Sequence, residues 1–280
     1  MRMLRSIPAL LIALGAPAVP ARAQDAPDLS ADRITIGVGP AFVPRYVGSD
    51  RMTVVPGIAL QGQVARRSFE TAGTSLSVDL IADPGKPGWQ VQAGPTFNLR
   101  LDRTARIAEP QVAALGTRKT AWEPGAWIGL QRTGVLTSPY DSLSASISWQ
   151  HDVNGAYDGS VVNPAISYDT PLSHHDYVSL SAGADHVGRR FGRYYYDIDD
   201  ADSAASGLGV YDGADRAGWK DWNLDLLTMH MVRGELTRGV GVFGTLGYSR
   251  LVGAYARSPI VADVGSANQW SGAVGVSITL

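Results

Sequence analysis

Alternate positions of the segment Trp89 to Asp102 separate cleanly into two sets. Trp89, Val91, Ala93, Pro95, Phe97, Leu99 and Leu101 are apolar, whereas Gln90, Gln92, Gly94, Thr96, Asn98, Arg100 and Asp102 are polar or small. A period of two is that of a β-strand, whose successive side chains point to opposite faces. The run therefore predicts a strand with one greasy and one wet face, longer than the roughly 10 residues a tilted strand needs to cross a bilayer. A soluble sheet can alternate in the same way, so recurrence carries the argument. Leu143, Ala145, Ile147 and Trp149 alternate with Ser142, Ser144, Ser146, Ser148 and Gln150, and Val274, Val276, Ile278 and Leu280 alternate with Gly275, Ser277 and Thr279. The wet set is Ser, Thr, Gly, Gln and Asn rather than Lys and Glu, which suits a crowded barrel interior better than an open solvent face.

The first residues give a destination. Arg2 and Arg5 precede an apolar stretch from Ile7 to Ala16, and Ala21-Arg22-Ala23 supplies the small-x-small pattern of a signal-peptidase site. Residues 1–23 read as a secretory signal peptide cut before Gln24, leaving 24–280 as a single outer-membrane β-barrel domain. The apolar stretch is broken by Pro8, Gly15 and Pro17, and no later stretch approaches the roughly 20 apolar residues of a membrane-crossing helix. Without cysteine, an exported chain has neither disulfides nor a thiolate metal site, so its stability must come from backbone pairing or a large core. Removing residues 1–23 takes away Arg2, Arg5 and Arg22 and no acid, moving the formal charge from -2 to -5. Nothing in that balance suggests nucleic-acid binding.

Turn spacing predicts an all-β, antiparallel transmembrane barrel of about 12 strands, with 10 or 14 as alternatives. The strands are expected near 33–42, 52–61, 63–70, 74–82, 88–101, 122–133, 141–151, 159–169, 176–190, 219–232, 239–251 and 267–280. With the first strand rising from the periplasm, the short connections at 61–63, 83–87, 134–140, 170–175 and 233–238 fall on the periplasmic side. Those at 43–51, 102–121, 191–218 and 252–266, mostly longer, fall outside, as in bacterial outer-membrane barrels. The third strand, with Arg66 and Arg67, is the weakest element. Between Trp222 and Met231 the apolar phase runs through Leu224 and Leu226 and restarts at Leu227, which predicts a bulge there. Trp89, Trp122, Trp149, Trp219, Trp222 and Trp270 lie near strand ends, where aromatic rings form an interfacial belt.

Chemistry is sparse. The chain has no HExxH, GxSxG or GxxxxGK[ST] motif. A barrel hydrolase would need Ser and His together on the lipid-facing surface, and His230 with Thr228 or Ser249 is a remote candidate for that. Asp197-Ile198-Asp199-Asp200-Ala201-Asp202 lacks the central Gly and bidentate Glu of a calcium loop and reads as a solvated acidic loop. No catalytic residue, cofactor site or metal site is expected.

Gly37-Val38-Gly39-Pro40 with Tyr46-Val47-Gly48-Ser49-Asp50, then Tyr248-Ser249-Arg250-Leu251, Ser258-Pro259-Ile260-Val261 and Gly265-Ser266-Ala267-Asn268-Gln269, resemble in order and separation the MltA-interacting protein family, also called OmpV-like outer-membrane proteins. The resemblance implies a small barrel of the Gram-negative outer membrane, in contact with the lipid bilayer and lipopolysaccharide, that scaffolds murein-synthesising and murein-hydrolysing enzymes from the periplasmic side. One departure is Leu280, where family members usually end in Phe. Two other readings stay open. A lumen lined by Arg100, Asp102, Asn98, Gln90 and Gln92 would suit a small pore or transport barrel, and Tyr194-Tyr195-Tyr196 in the long 191–218 loop would suit either an outer-surface adhesin or an interface girdle.

Overall fold

The computed structural model describes residues 32–105 and 107–280. The expected signal peptide lies outside the described residues. Twelve antiparallel strands run in chain order: β1 (Arg33–Pro44), β2 (Met52–Val64), β3 (Arg67–Ala72), β4 (Ser75–Val78), β5 (Gly88–Arg100), β6 (Ala121–Thr133), β7 (Ser142–His151), β8 (Ser160–Pro171), β9 (Asp176–Val187), β10 (Gly218–Glu235), β11 (Arg238–Leu251) and β12 (Asn268–Thr279). Each pairs with its sequence neighbours, and β1 pairs with β12 to close the barrel. Closure leaves Thr35 opposite Thr279, with their hydroxyls 2.9 Å apart, and ties the chain end to the first strand through Leu280 N–H donating to the Ile34 carbonyl at 2.9 Å.

The two-residue period sorts the faces. Val91, Ile128, Ile147, Leu180, Leu246 and Val276 on the outside are all strongly exposed, as a lipid-facing belt requires. The ladder explains why such a surface is sustainable: in hydrocarbon every backbone polar group must find a partner within the protein. The six tryptophans placed near strand ends are all exposed. Trp222 meets Tyr248 edge to face and Trp270 meets its ring at a tilt from the other side, and Arg132 lies over Trp89 at the opposite end.

The β3–β4 hairpin is much shorter than its expected segments. Only Gln61–Val64 of β2 pair with β3, so Met52–Ala59 have β1 on one side and, among the described residues, no strand on the other. Beside the hairpin tip, Leu60 turns its N–H and C=O to the Thr71 hydroxyl. Pro40 stands opposite Pro56 in the β1–β2 ladder. Neither ring has an N–H, so the two nitrogens face away from each other, Pro56 toward the unpaired edge and Pro40 toward β12. There the β1–β12 register skips from Val38↔Val276 to Ala41↔Ala273.

The expected bulge between Trp222 and Met231 is corrected. β10 stays in register with both neighbours across that stretch, and its irregularities lie between Trp219 and Asp221 and between Met231 and Arg233. The apolar phase breaks at Leu227 because Leu227, Met229 and Met231 point into the barrel, where the two methionines join Leu236 and Tyr177 in a small cluster at the short-turn end. The bulge at Lys220 has a different effect: it turns Lys220 and Asp221, consecutive in sequence, into the interior together.

Long connections gather at one end, short ones at the other. Instead of open loops, the long ones carry helices α1 (Pro110–Ala114), α2 (Arg189–Tyr196), α3 (Asp200–Ser206), α4 (Gly253–Arg257) and α5 (Pro259–Ala262). The Asp197–Asp202 run is part of this folded end: Asp199 caps α3 by accepting from Asp202 N–H, and Asp197 accepts from Ala214 N–H at 3.0 Å.

Candidate functional site

The interior has two zones, a plug at the loop end and a wet lumen toward the turn end. α2 builds the centre of the plug. Its Phe191, Tyr195 and Tyr196 are buried with Tyr157, Val187, Ala214, Leu251, Tyr255 and Val261, while Tyr46, Ile107, Val112, Leu115, Ile198, Leu208 and Ile260 form a second cluster beside them. Phe191 meets Tyr157 edge to face at 5.0 Å, and Tyr196 meets Tyr255 likewise at 5.2 Å. Such pairs add about 0.5–1.5 kcal/mol each to the area they bury. Gly192 is required here, because a Cβ would fall 2.0 Å from the Ala214 carbonyl oxygen. The tyrosine run therefore serves neither as an exposed adhesive patch nor as a membrane girdle. Tyr195 and Tyr196 are core, and the Tyr194 hydroxyl accepts from Lys119 N–H. Burial pushes the phenols of Tyr195 and Tyr196 above their ordinary range. Tyr157 is raised by burial and then by the neighbouring Glu123 carboxylate.

Directly beneath the plug lies a fixed charge network. Glu123 on β6 is fully buried and accepts from Arg100 Nε at 2.6 Å and Nη2 at 3.0 Å, from Asn98 Nδ2 at 2.7 Å and from the Tyr157 hydroxyl at 2.8 Å. Across the barrel, Lys220 Nζ stands 2.9 Å from both Asp185 Oδ2 and Asp221 Oδ2, and Asp185 also accepts from Asn163 Nδ2. Phe191 joins the two zones, with the Arg100 guanidinium 4.9 Å and the Lys220 ammonium 5.9 Å from its ring centre. A buried ion pair is sustained only when its remaining lone pairs are filled, and Glu123 meets that condition with four donors.

Below the network is a cavity of about 780 Å³ that reaches the turn-end rim at Asp83 and Tyr140. Of the residues expected in the lumen, Asn98, Arg100 and Gln92 line it. Gln90 and Asp102 do not: Gln90 stands opposite Gln131 in the β5–β6 ladder, and Asp102 sits above β5 and accepts from Val47 N–H at 2.9 Å, pinning the 101–120 connection to the β1–β2 loop. Sequence reading missed Glu123, Tyr157, Lys220 and Asp221. Glu123 was reachable, since it occupies an inward position of an alternating strand. Lys220 was not, because a bulge places it there.

Of the remote hydrolase candidate, Thr228 lies two positions from His230 on β10 and turns its hydroxyl to the Gly244 carbonyl, and Ser249 is distant from both. His230 Nδ1 lies 2.8 Å from Asp176 Oδ1 near the turn end, whereas Ser249 pairs opposite Asn223 toward the loop end. Among the described residues no three His, Asp or Glu side chains are grouped to hold a metal ion.

The family described as MltA-interacting protein MipA matches residues 36–280. The chain belongs to that family. Among solved structures, OprB of Pseudomonas putida is similar at TM-score 0.37 and 12% identity, over 81% of this chain and 59% of that one. OccK7 (OpdD) of Pseudomonas aeruginosa is similar at TM-score 0.27 and 10% identity, over 89% and 98%. The chain thus spans only 59% of OprB, and likenesses at these scores carry no functional meaning. No curated protein sequence matches the chain. Family membership and a closed twelve-strand barrel with an apolar belt together make this a membrane β-barrel protein.

Proposed function

We propose that this MipA-family barrel resides in the outer membrane as an interaction scaffold for murein-remodelling enzymes, its helical end outside and its short turns in the periplasm. Residues 1–23 would direct export, and the mature chain would begin at Gln24. The observation that carries the reading is the plug. Two apolar clusters fill the loop end above the buried Arg100–Glu123 and Lys220–Asp185 pairs, so the molecule offers surfaces to partners and no open passage to solutes. The family's description as MltA-interacting supports a partner on the murein side.

The β6–β7 turn is a hydrogen-bonded projection on that side. Asp141 accepts backbone N–H bonds from Val135, Leu136 and Thr137, and the turn holds Leu136 out at 77% exposure. The outward belt would contact lipid, and the loop end lipopolysaccharide. Affinity capture from solubilised envelopes, paired with planar-bilayer recording on the purified barrel, tests the proposal. Copurifying murein enzymes with a silent bilayer support it. Discrete conductance steps without such enzymes would replace it with the pore reading.

A further inference from the structure

The chain has seven tryptophans, and six of them face outward on the barrel wall. Trp127 is the exception. It occupies an inward position of β6, opposite Gly94 on β5, and lines the lumen cavity. Its indole N–H donates to the Val78 carbonyl at 3.2 Å, which fixes the ring across the β5 wall toward β4. Around it the wall is hydroxyl and amide. Gln92, Ser146, Ser148 and Ser181 line the same cavity, and none of their side chains is hydrogen-bonded to protein among the described residues. Neighbouring polar groups, by contrast, are already paired, as Ser77 is with Thr96 and Ser144 with Ser167.

An immobilised indole beside unfilled hydroxyl and amide groups matches the two sides of a pyranose ring. The electron-rich aromatic face takes the ring's weakly positive C–H face, and the rim hydroxyls take donors and acceptors in the ring plane. At about 780 Å³ the cavity falls within the range of sites that enclose small ligands. Its charge selects further. Six carboxylates, Glu70 and Asp225 among them, line the cavity against the two guanidiniums of Arg33 and Arg100, so an acidic solute would meet net repulsion. We propose that the lumen is a binding cup for a neutral oligosaccharide, entered at the turn end, with Trp127 as its stacking platform. This site does not depend on the scaffold reading, because it can be tested on the isolated barrel in either orientation.

The test is calorimetric titration of the full barrel in an amine-oxide detergent, which carries no sugar headgroup. Maltotriose and chitotriose are the neutral probes and trigalacturonate the acidic one. At least one neutral trisaccharide should bind, with trigalacturonate about 10-fold or more weaker. Trp127→Phe should keep most of the affinity, because it loses only the bond to Val78, whereas Trp127→Ala should lose about 10-fold or more. Ser146→Val with Ser148→Val, which leaves the tryptophan alone, should also weaken binding, and Trp122→Ala on the lipid face should not. Heat-modifiable electrophoretic mobility confirms that each variant is folded. If neither neutral sugar binds, if a folded Trp127→Ala binds as the parent does, or if the uronate binds equally well, the cup is refuted.

Discussion

Asp141 shows how much one side chain can organise. Its carboxylate takes three successive backbone N–H groups together with the hydroxyls of Thr137 and Tyr168. Burial opposes the charge, but the Tyr168 hydroxyl and the backbone donors outweigh it and hold the carboxyl down at about 2. The folded value lies below the ordinary one, so the charged form stabilises the turn fully above about pH 4, and that support is lost as pH falls toward 2. Asp141→Ala leaves three turn N–H groups unpaired and should cost about 1–3 kcal/mol at neutral pH. Urea titrations should show parent and variant converging near pH 2, and an undiminished gap there would contradict the assignment. The face assignment is equally local. Ala93→Arg on the lipid side of β5 should cost roughly 2–4 kcal/mol, and Gln92→Arg in the lumen much less. Folded fractions by heat-modifiable mobility would separate the two, and equal losses would refute the faces.

Among the elements, α2 bears most on function. Its aromatic side chains close the loop end, while its arginines stay at the surface, Arg189 bound to Asp215 at 2.7 Å and Arg190 to Asp158. Replacing residues 189–215 by a short Gly/Ser linker should leave insertion intact, since this backbone lies outside the belt and water can satisfy it. The same replacement should uncover the Arg100–Glu123 and Lys220–Asp185 pairs and turn a silent bilayer into a conducting one. A silent bilayer with a correctly inserted variant would mean that the network itself seals the lumen. Long strands were legible in the sequence because each carries its own period of two. The plug was not, since its helices are short and their apolar residues find partners only across connections distant in sequence. β3 and β4 were misjudged in length for a related reason: where pairing stops is set by the neighbouring strand. Trp127 shows the same limit, because a period identifies the face a tryptophan occupies and says nothing of the cavity in front of it.

For the whole molecule, closure decides survival. β12 is held on both edges, by β11 and by β1. Deleting Gly275 to Leu280 removes the seam and exposes two long edges to lipid, so insertion should fail and the chain should be degraded or aggregate. Leu280→Phe should insert at least as well as the parent. Protease-resistant insertion of the deletion would overturn the topology. Elsewhere the wall is unevenly built. A tube with a slot in its side flattens about the slot, and the unpaired stretch of β2 beside Pro56 is such a slot, bordered by the soft tip of a short hairpin. Squeezing or stretching the surrounding bilayer should therefore strain this barrel in one sector and leave the β10–β12 wall rigid. Amide exchange in thin and thick nanodiscs would reveal it. Val54 and Ile58 should exchange fast and respond to thickness while Val240 and Val242 stay protected, and uniform protection around the circumference would show that the tube bears load evenly.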